Sequence, residues 1–249
     1  MERAAARSTG EPLRLEIFDS PDAASAAAAT FIAARVREAM VRRPRFAMAL
    51  SGGSTPVPML DALSVADVPW ETVHIFQTDE RAVPLGDPDR NLTQLQRHLV
   101  DRLSGRVGGM HAMPVDDPAG LGAAADAYGR LLRDVAGVPP ALDLVHLGLG
   151  ADGHTASLVP GDPVLDETVA DVACTGPYRG HRRLTLTFPV LERARCIVWL
   201  VTGATKADVL ARVAAGDATT PAGRVPRRNA IMFADRAAAF VLESSEATP

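Results

Sequence analysis

The chain predicts an α/β fold in which a largely parallel sheet is covered by helices on both faces. Two observations carry that prediction. Short apolar runs of strand length alternate with amphipathic helical stretches from Leu13 almost to the end of the 249 residues, the order that builds parallel sheets through crossover helices. Several of those runs also end in glycine-bearing polar turns, at the carboxyl edge of strands where open α/β sheets place ligands.

Leu13 to Phe18 alternates apolar and polar residues like a strand, and Pro21 to Arg42 reads as an alanine-rich helix with Ile32, Val36 and Met40 on one face. Phe46 to Leu50 is a short apolar strand that runs into SGGSTP. Pro56 there suits the first position of a helix capped by Ser54 or Thr55. Val73 to Phe76 is the next strand, ending in TDERAVP, and Asn91 to Leu103 reads as a single helix with Leu92, Leu95, Leu99 and Leu103 along it. Ala119 to Val135 is helical. The strand Leu142 to Leu147 then meets the turn GLGADGHTASLVPG, after which Pro160 and Pro163 prevent a long helix. Leu184 to Phe188 and Cys196 to Val201 read as strands, Lys206 to Val213 as a helix, and Ile231 to Phe233 as a last strand. A short alanine-rich turn and Phe240 to Leu242 follow.

Composition excludes several classes. With 47% apolar residues the chain can bury one sizeable core, and one domain is the simplest organisation. A formal charge of -4 argues against general affinity for nucleic acid or an anionic membrane, and the basic stretch Arg224 to Arg228 is too short to reverse that. No apolar run reaches the roughly 20 residues of a spanning helix, and no apolar stretch follows the charged amino terminus as a signal peptide requires. A cytoplasmic location is expected. Cys174 and Cys196, without CxxC spacing, make neither a disulfide framework nor a zinc site.

Each polar turn has two readings. Ser51, Gly52, Gly53, Ser54 and Thr55 form either a phosphate cradle of backbone N–H groups and hydroxyls or a tight turn with an ordinary helix cap; they lack the Gly-Lys-Ser/Thr ending of a nucleotide-triphosphate loop. Asp79, Glu80 and Arg81 are either a solvated loop or a polar wall. Gly148, Gly150 and Gly153 imitate a dinucleotide fingerprint, but no helix opens at the third glycine, so the turn reads otherwise. In it, His154 stands beside Asp152, Thr155 and Ser157, company that suits an acid/base role better than a structural one. No further His or Cys cluster supports metal ligation, and none is expected. His74, His98, His111 and His146 default to structural or surface roles. Lys206, the only lysine, falls in the first turn of its helix, where the macrodipole disfavours a cation unless an anion is near. Arg183 could add a second cation if its strand runs antiparallel.

The ordered set SGGSTP, TDERAVP with Asn91 downstream, GLGADGHTASLVPG, RLTLT and VTGATK resembles the 6-phosphogluconolactonase family, over nearly the whole chain. The resemblance implies a Rossmann-like domain over residues 13–243 between flexible tails at 1–12 and 244–249. It implies hydrolysis of 6-phospho-D-glucono-1,5-lactone to 6-phosphogluconate in the oxidative pentose phosphate pathway, without a cofactor, by a monomer or weak homo-oligomer. His154 would serve as general base and then acid. Asp79 would orient His154 or a sugar hydroxyl, and Arg81 with backbone N–H groups near Gly150 would stabilise the oxyanion. Ser51 to Thr55, Lys206 and Arg183 would hold the phosphate, with Asn91, Gly150 and Asp152 completing the substrate site. Two alternatives stand beside this. Glucosamine-6-phosphate deaminases share the phosphate loop and the DGH turn but typically continue it with Phe-Asn-Glu-Pro, where this chain has Ala156, Ser157, Leu158, Val159 and Pro160. A non-catalytic sugar-phosphate sensor would need a DNA-binding partner region, for which twelve residues before the first strand are too few. The family commonly has Ser where Arg90 precedes Asn91, which puts substrate contacts there in question.

Overall fold

The computed structural model describes residues 13–117 and 119–246, with side chains as far as residue 243. The amino-terminal tail expected at 1–12 lies outside the described residues.

Strand β1 (Arg14–Phe18) leads into helix α1 (Pro21–Met40), whose start is dictated locally: Ser20 accepts a hydrogen bond from the Ala23 amide and Pro21 holds the first helical position. The chain then lays down β2 (Phe46–Leu50), α2 (Val57–Ser64), β3 (Val73–Gln77), β4 (Asp79–Arg81) and α3 (Asn91–Leu95). Next come β5 (Gly109–His111), α4 (Leu121–Ala136), β6 (Leu144–Leu147), β7 (Val172–Cys174), β8 (Arg183–Leu186) and α5 (Phe188–Arg193). It closes with β9 (Ile197–Val201), α6 (Ala207–Ala214), β10 (Ala230–Asp235) and α7 (Arg236–Glu246).

Among the described residues, the main sheet has seven strands in the order β1-β10-β9-β6-β2-β3-β5, and every pairing is parallel. Strand alternation sorts its side chains into two cores. Phe46, Met48 and Leu50 pack with α1, α2 and Leu95, Leu99 and Leu103 on one face; Ala47 and Ala49 face the core built with Tyr128 and Leu132 of α4 and Leu210 of α6 on the other. The chain leaves β2 toward β3 on one side and returns through β6 toward β9 on the other. This reversal opens a crevice at the carboxyl ends of β2 and β6, the place such sheets bind ligands. No helix among the described residues is long and apolar enough to cross a membrane.

Four expectations are corrected. Asp79 to Arg81 is not a solvated loop but a strand in a second, three-stranded antiparallel sheet, β4-β8-β7. Phe188 does not end a strand: it opens α5, with Pro189 in the first turn. The segment after β10 is a full helix through Glu246, started by Asp235, whose carboxylate accepts from the Ala238 amide at 2.9 Å. Of the tail expected at 244–249, residues 247–249 lie outside the described residues. The helix expected over Asn91 to Leu103 is continuous but changes pitch, widening to a π turn at Gln96–Val100 and tightening to 3₁₀ at Asp101–Leu103.

Candidate active site

A cleft of roughly 320 Å³ opens at the switch point between β2 and β6. Ser51, Gly52, Gly53, Ser54 and Thr55 line one side, Asp79, Arg81 and Asn91 the back, and Gly150 and His154 the other side; Arg183 and Lys206 complete it. The expected residues meet there, with one exception: Asp152 stands behind His154, outside the lining.

The loop after β2 is shaped by packing. A Cβ on Gly52 would lie 2.5 Å from the side chain of Asn91, so only glycine admits that neighbour, and Gly53 adopts φ +94°. Asn91 in turn donates from Nδ2 to the Asp79 carbonyl at 2.9 Å, tying the loop to β4. The expected helix cap by Ser54 or Thr55 does not form. Pro56 occupies the cap position of α2 without a side-chain bond, so neither hydroxyl is spent on the helix. Ser51 differs from the expected anion donor: its Oγ donates to the His146 carbonyl at 2.9 Å and lies 2.9 Å from Thr78 Oγ1, which fastens β2 to its neighbours. His146, expected in a structural or surface role, lies buried against Ser51 and reaches the cleft. Burial holds its imidazole down to about 4, neutral, with Nδ1 facing the Ser51 amide at 3.4 Å.

The three consecutive charges of β4 divide by strand alternation. Asp79 and Arg81 face the cleft. Glu80 turns the other way, fully buried, and accepts from the amides of Arg81, Asn91 and Leu92 and from Gln77, so it anchors the start of α3. Burial raises its pKa, against these donors. Asp79 does not touch His154, contrary to one expectation. It accepts from Ser157 Oγ at 2.6 Å and stands 4.0 Å from the Arg183 guanidinium. Arg183 does lie on an antiparallel strand, directly opposite Arg81 across the β4–β8 pairing, so two cations share one wall. Arg81 also donates to the Asp89 carbonyl. Arg90 points away from the cleft, to the Val83 carbonyl and Asp116.

The turn after β6 is built around its imidazole. His154 Nδ1 lies 2.5 Å from Asp152 Oδ1, and a Cβ on Gly150 would come within 2.1 Å of that same Nδ1. The Gly150 amide is already engaged with the His154 carbonyl at 2.8 Å, so it closes the turn and is itself not among the backbone N–H groups near Gly150 left free to face an oxyanion. Burial by itself would raise the Asp152 carboxyl; a hydrogen bond from Tyr178 and the adjacent His154 hold it instead at about 2. Lys206 caps α6 at the cleft. Burial lowers its pKa, Asp152 works against that, and Arg179 adds to it.

Two residues of the site had no place in the sequence reading. Tyr178 and Arg179 sit on a hairpin between β7 and β8, closed by Arg179 and Gly180 at φ +50° and +85°. Arg179 lines the cleft, and the Tyr178 ring meets His154 edge to face. A tyrosine followed by Arg-Gly, a turn pair with left-handed backbone, was the available signal. Among the described residues no cluster of His, Cys, Asp and Glu could hold a metal ion.

Residues 19–233 match the model of the family described as glucosamine-6-phosphate isomerases/6-phosphogluconolactonase. The chain belongs to that family. It is 38% identical over 243 residues to a 6-phosphogluconolactonase of Mycobacterium tuberculosis, which covers 92% of this chain and 98% of the relative. It is 38% identical over 191 residues to one from a Synechocystis species, 75% of this chain and 79% of that one. The solved 6-phosphogluconolactonase of Trypanosoma brucei superposes with a TM-score of 0.81 at 26% identity over 93% of this chain and 99% of that one. A solved monomeric glucosamine-6-phosphate deaminase superposes with a TM-score of 0.75 at 18% identity, over 92% of this chain and all of its own, which shows a shared fold alone.

Proposed function

We propose that this member of the family hydrolyses 6-phospho-D-glucono-1,5-lactone to 6-phosphogluconate, the lactone step of the oxidative pentose phosphate pathway. One observation carries the reading. An imidazole whose Nδ1 is tied to a carboxylate opens on the same cleft as a lysine and a glycine-hydroxyl loop.

With Nδ1–H donated to Asp152, Nε2 of His154 carries the lone pair and takes a proton from water as that oxygen adds to the lactone carbonyl. Charge then builds on the carbonyl oxygen, where Arg81 and Arg183 stand together on the cleft wall. When the tetrahedral intermediate collapses, the bond from carbonyl carbon to ring oxygen breaks and Nε2–H returns its proton to that oxygen, leaving an acid that ionises in water. The amides of Gly52 and Gly53, the hydroxyls of Ser54 and Thr55, and Lys206 hold the 6-phosphate, so that remote binding free energy positions the carbonyl. Asp79, fixed by Ser157 and Arg183, offers a carboxylate edge to a sugar hydroxyl. Neither metal nor cofactor enters this scheme. On the same reading the enzyme works in the cytoplasm as a monomer or weak homo-oligomer.

A purified-protein assay pairing lactone loss with ammonia release from glucosamine 6-phosphate tests this. The expected result is lactone loss above the enzyme-free rate with no ammonia. Ammonia release would transfer the site to deaminase chemistry, and saturable binding without turnover would make it a sensor.

A further inference from the structure

We infer that Tyr178 is a positioning residue for His154, acting through Asp152 as the outer member of a Tyr–Asp–His chain. The Tyr178 hydroxyl donates to Asp152 Oδ2 at 2.8 Å while Asp152 Oδ1 faces His154 Nδ1 at 2.5 Å, so the two carboxylate oxygens serve different partners. The carboxylate thereby loses its freedom to rotate, and the imidazole loses it in turn. The ring is engaged as well. It packs edge to face on His154 with centroids 5.5 Å apart, and the guanidinium groups of Arg179 and Arg183 each lie 5.2 Å from its centre. Hairpin, β8 and glycine turn are thus keyed to one another through a single aromatic side chain.

No proton needs to leave Tyr178. Burial and the bond to Asp152 raise its pKa, so the phenol stays a donor throughout. The groups facing the Tyr–Asp pair are His154 on the glycine turn, Arg179 on the hairpin, Arg183 on β8 and Lys206 at the start of α6. Removing the phenol hydroxyl frees Asp152 Oδ2, so the carboxylate can rotate and the Nδ1–H bond of His154 is held less firmly.

This inference rests on the lactonase reading for its kinetic consequence but not for its spectroscopic one. Tyr178→Phe keeps the ring and removes only the hydroxyl. In that variant kcat should fall about tenfold, the scale on which one hydrogen bond to a charged group acts, with KM unchanged. The His154 Nδ1–H proton, observed by NMR with His154→Gln as the assignment control, should broaden through faster exchange with water than in the unaltered protein. An unaltered Nδ1–H signal overturns the inference, whatever happens to kcat. An unchanged kcat beside a broadened signal also overturns it in an enzyme that turns the lactone over. If the unaltered protein is inactive on the lactone, the functional reading fails, and the Nδ1–H signal alone decides whether Tyr178 holds the pair.

Discussion

The turns after β2 and β6 leave parallel strands at the same edge, and both are rich in glycine, yet glycine does different work in each. After β2, Gly52 makes room for a neighbour from another element, Asn91, and the loop presents backbone and hydroxyl groups to the cleft. After β6, Gly150 makes room for the turn's own histidine, which the loop folds back and clamps with Asp152. On the proposed mechanism one turn is a passive anion holder set by packing at a distance, and the other a self-contained acid/base unit. Composition alone does not separate them. The decisive difference is what stands where the missing Cβ would be.

That contrast can be broken by substitution. His154→Ala should lower kcat by ~10²- to 10⁴-fold with KM nearly unchanged, measured after subtracting spontaneous lactone opening. The opposite split would exchange the roles of the two turns. Lys206→Ala should mainly raise KM, by about 10- to 100-fold for one lost charge-assisted contact, and a pure kcat effect would remove it from the anion-holding side. Gly52→Ala forces a Cβ to within 2.5 Å of Asn91. It should destabilise the fold by about 1–3 kcal/mol as an overpacked contact does, read as a lowered melting temperature with KM raised. Unchanged stability would show that Asn91 yields freely.

A further effect concerns pH. His146 is buried and held at about 4, below the ordinary histidine value of 6.5. Between those values the unfolded chain binds a proton that the folded one refuses. Its contribution therefore lowers stability as pH falls from about 6.5 toward about 4, with a limiting slope of ~1.4 kcal/mol per pH unit. The lowered His74 and His111 act in the same direction. Denaturant unfolding of His146→Asn across this range should show a shallower acid decline, and an identical decline would place the linkage elsewhere.

Much of the fold was legible because parallel strands buried on both faces leave near-continuous apolar runs: β2 and β9 are unbroken, and β3 and β6 are each interrupted by one histidine. What escaped were three-residue strands such as β5 and β7, too short for any period, and the two helices whose start signals were present but outweighed. Pro189 marked the first turn of α5, and Asp235 the cap of α7. At the site, sequence order brought out the residues leaving strand ends. It could not show that Asp152 rather than Asp79 holds His154, because Asp79 meets Ser157 and Arg183 only when β8 lies beside β4. Tyr178 depended on the same tertiary step.

The central claim is that one sugar phosphate bridges the two turns. A crystal structure of the protein with 6-phosphogluconate bound tests it most directly. The account predicts the phosphate among Gly52, Ser54, Thr55 and Lys206, with the carboxylate end against His154. A phosphate seated beside His154, or a product molecule touching only one of the turns, would contradict it.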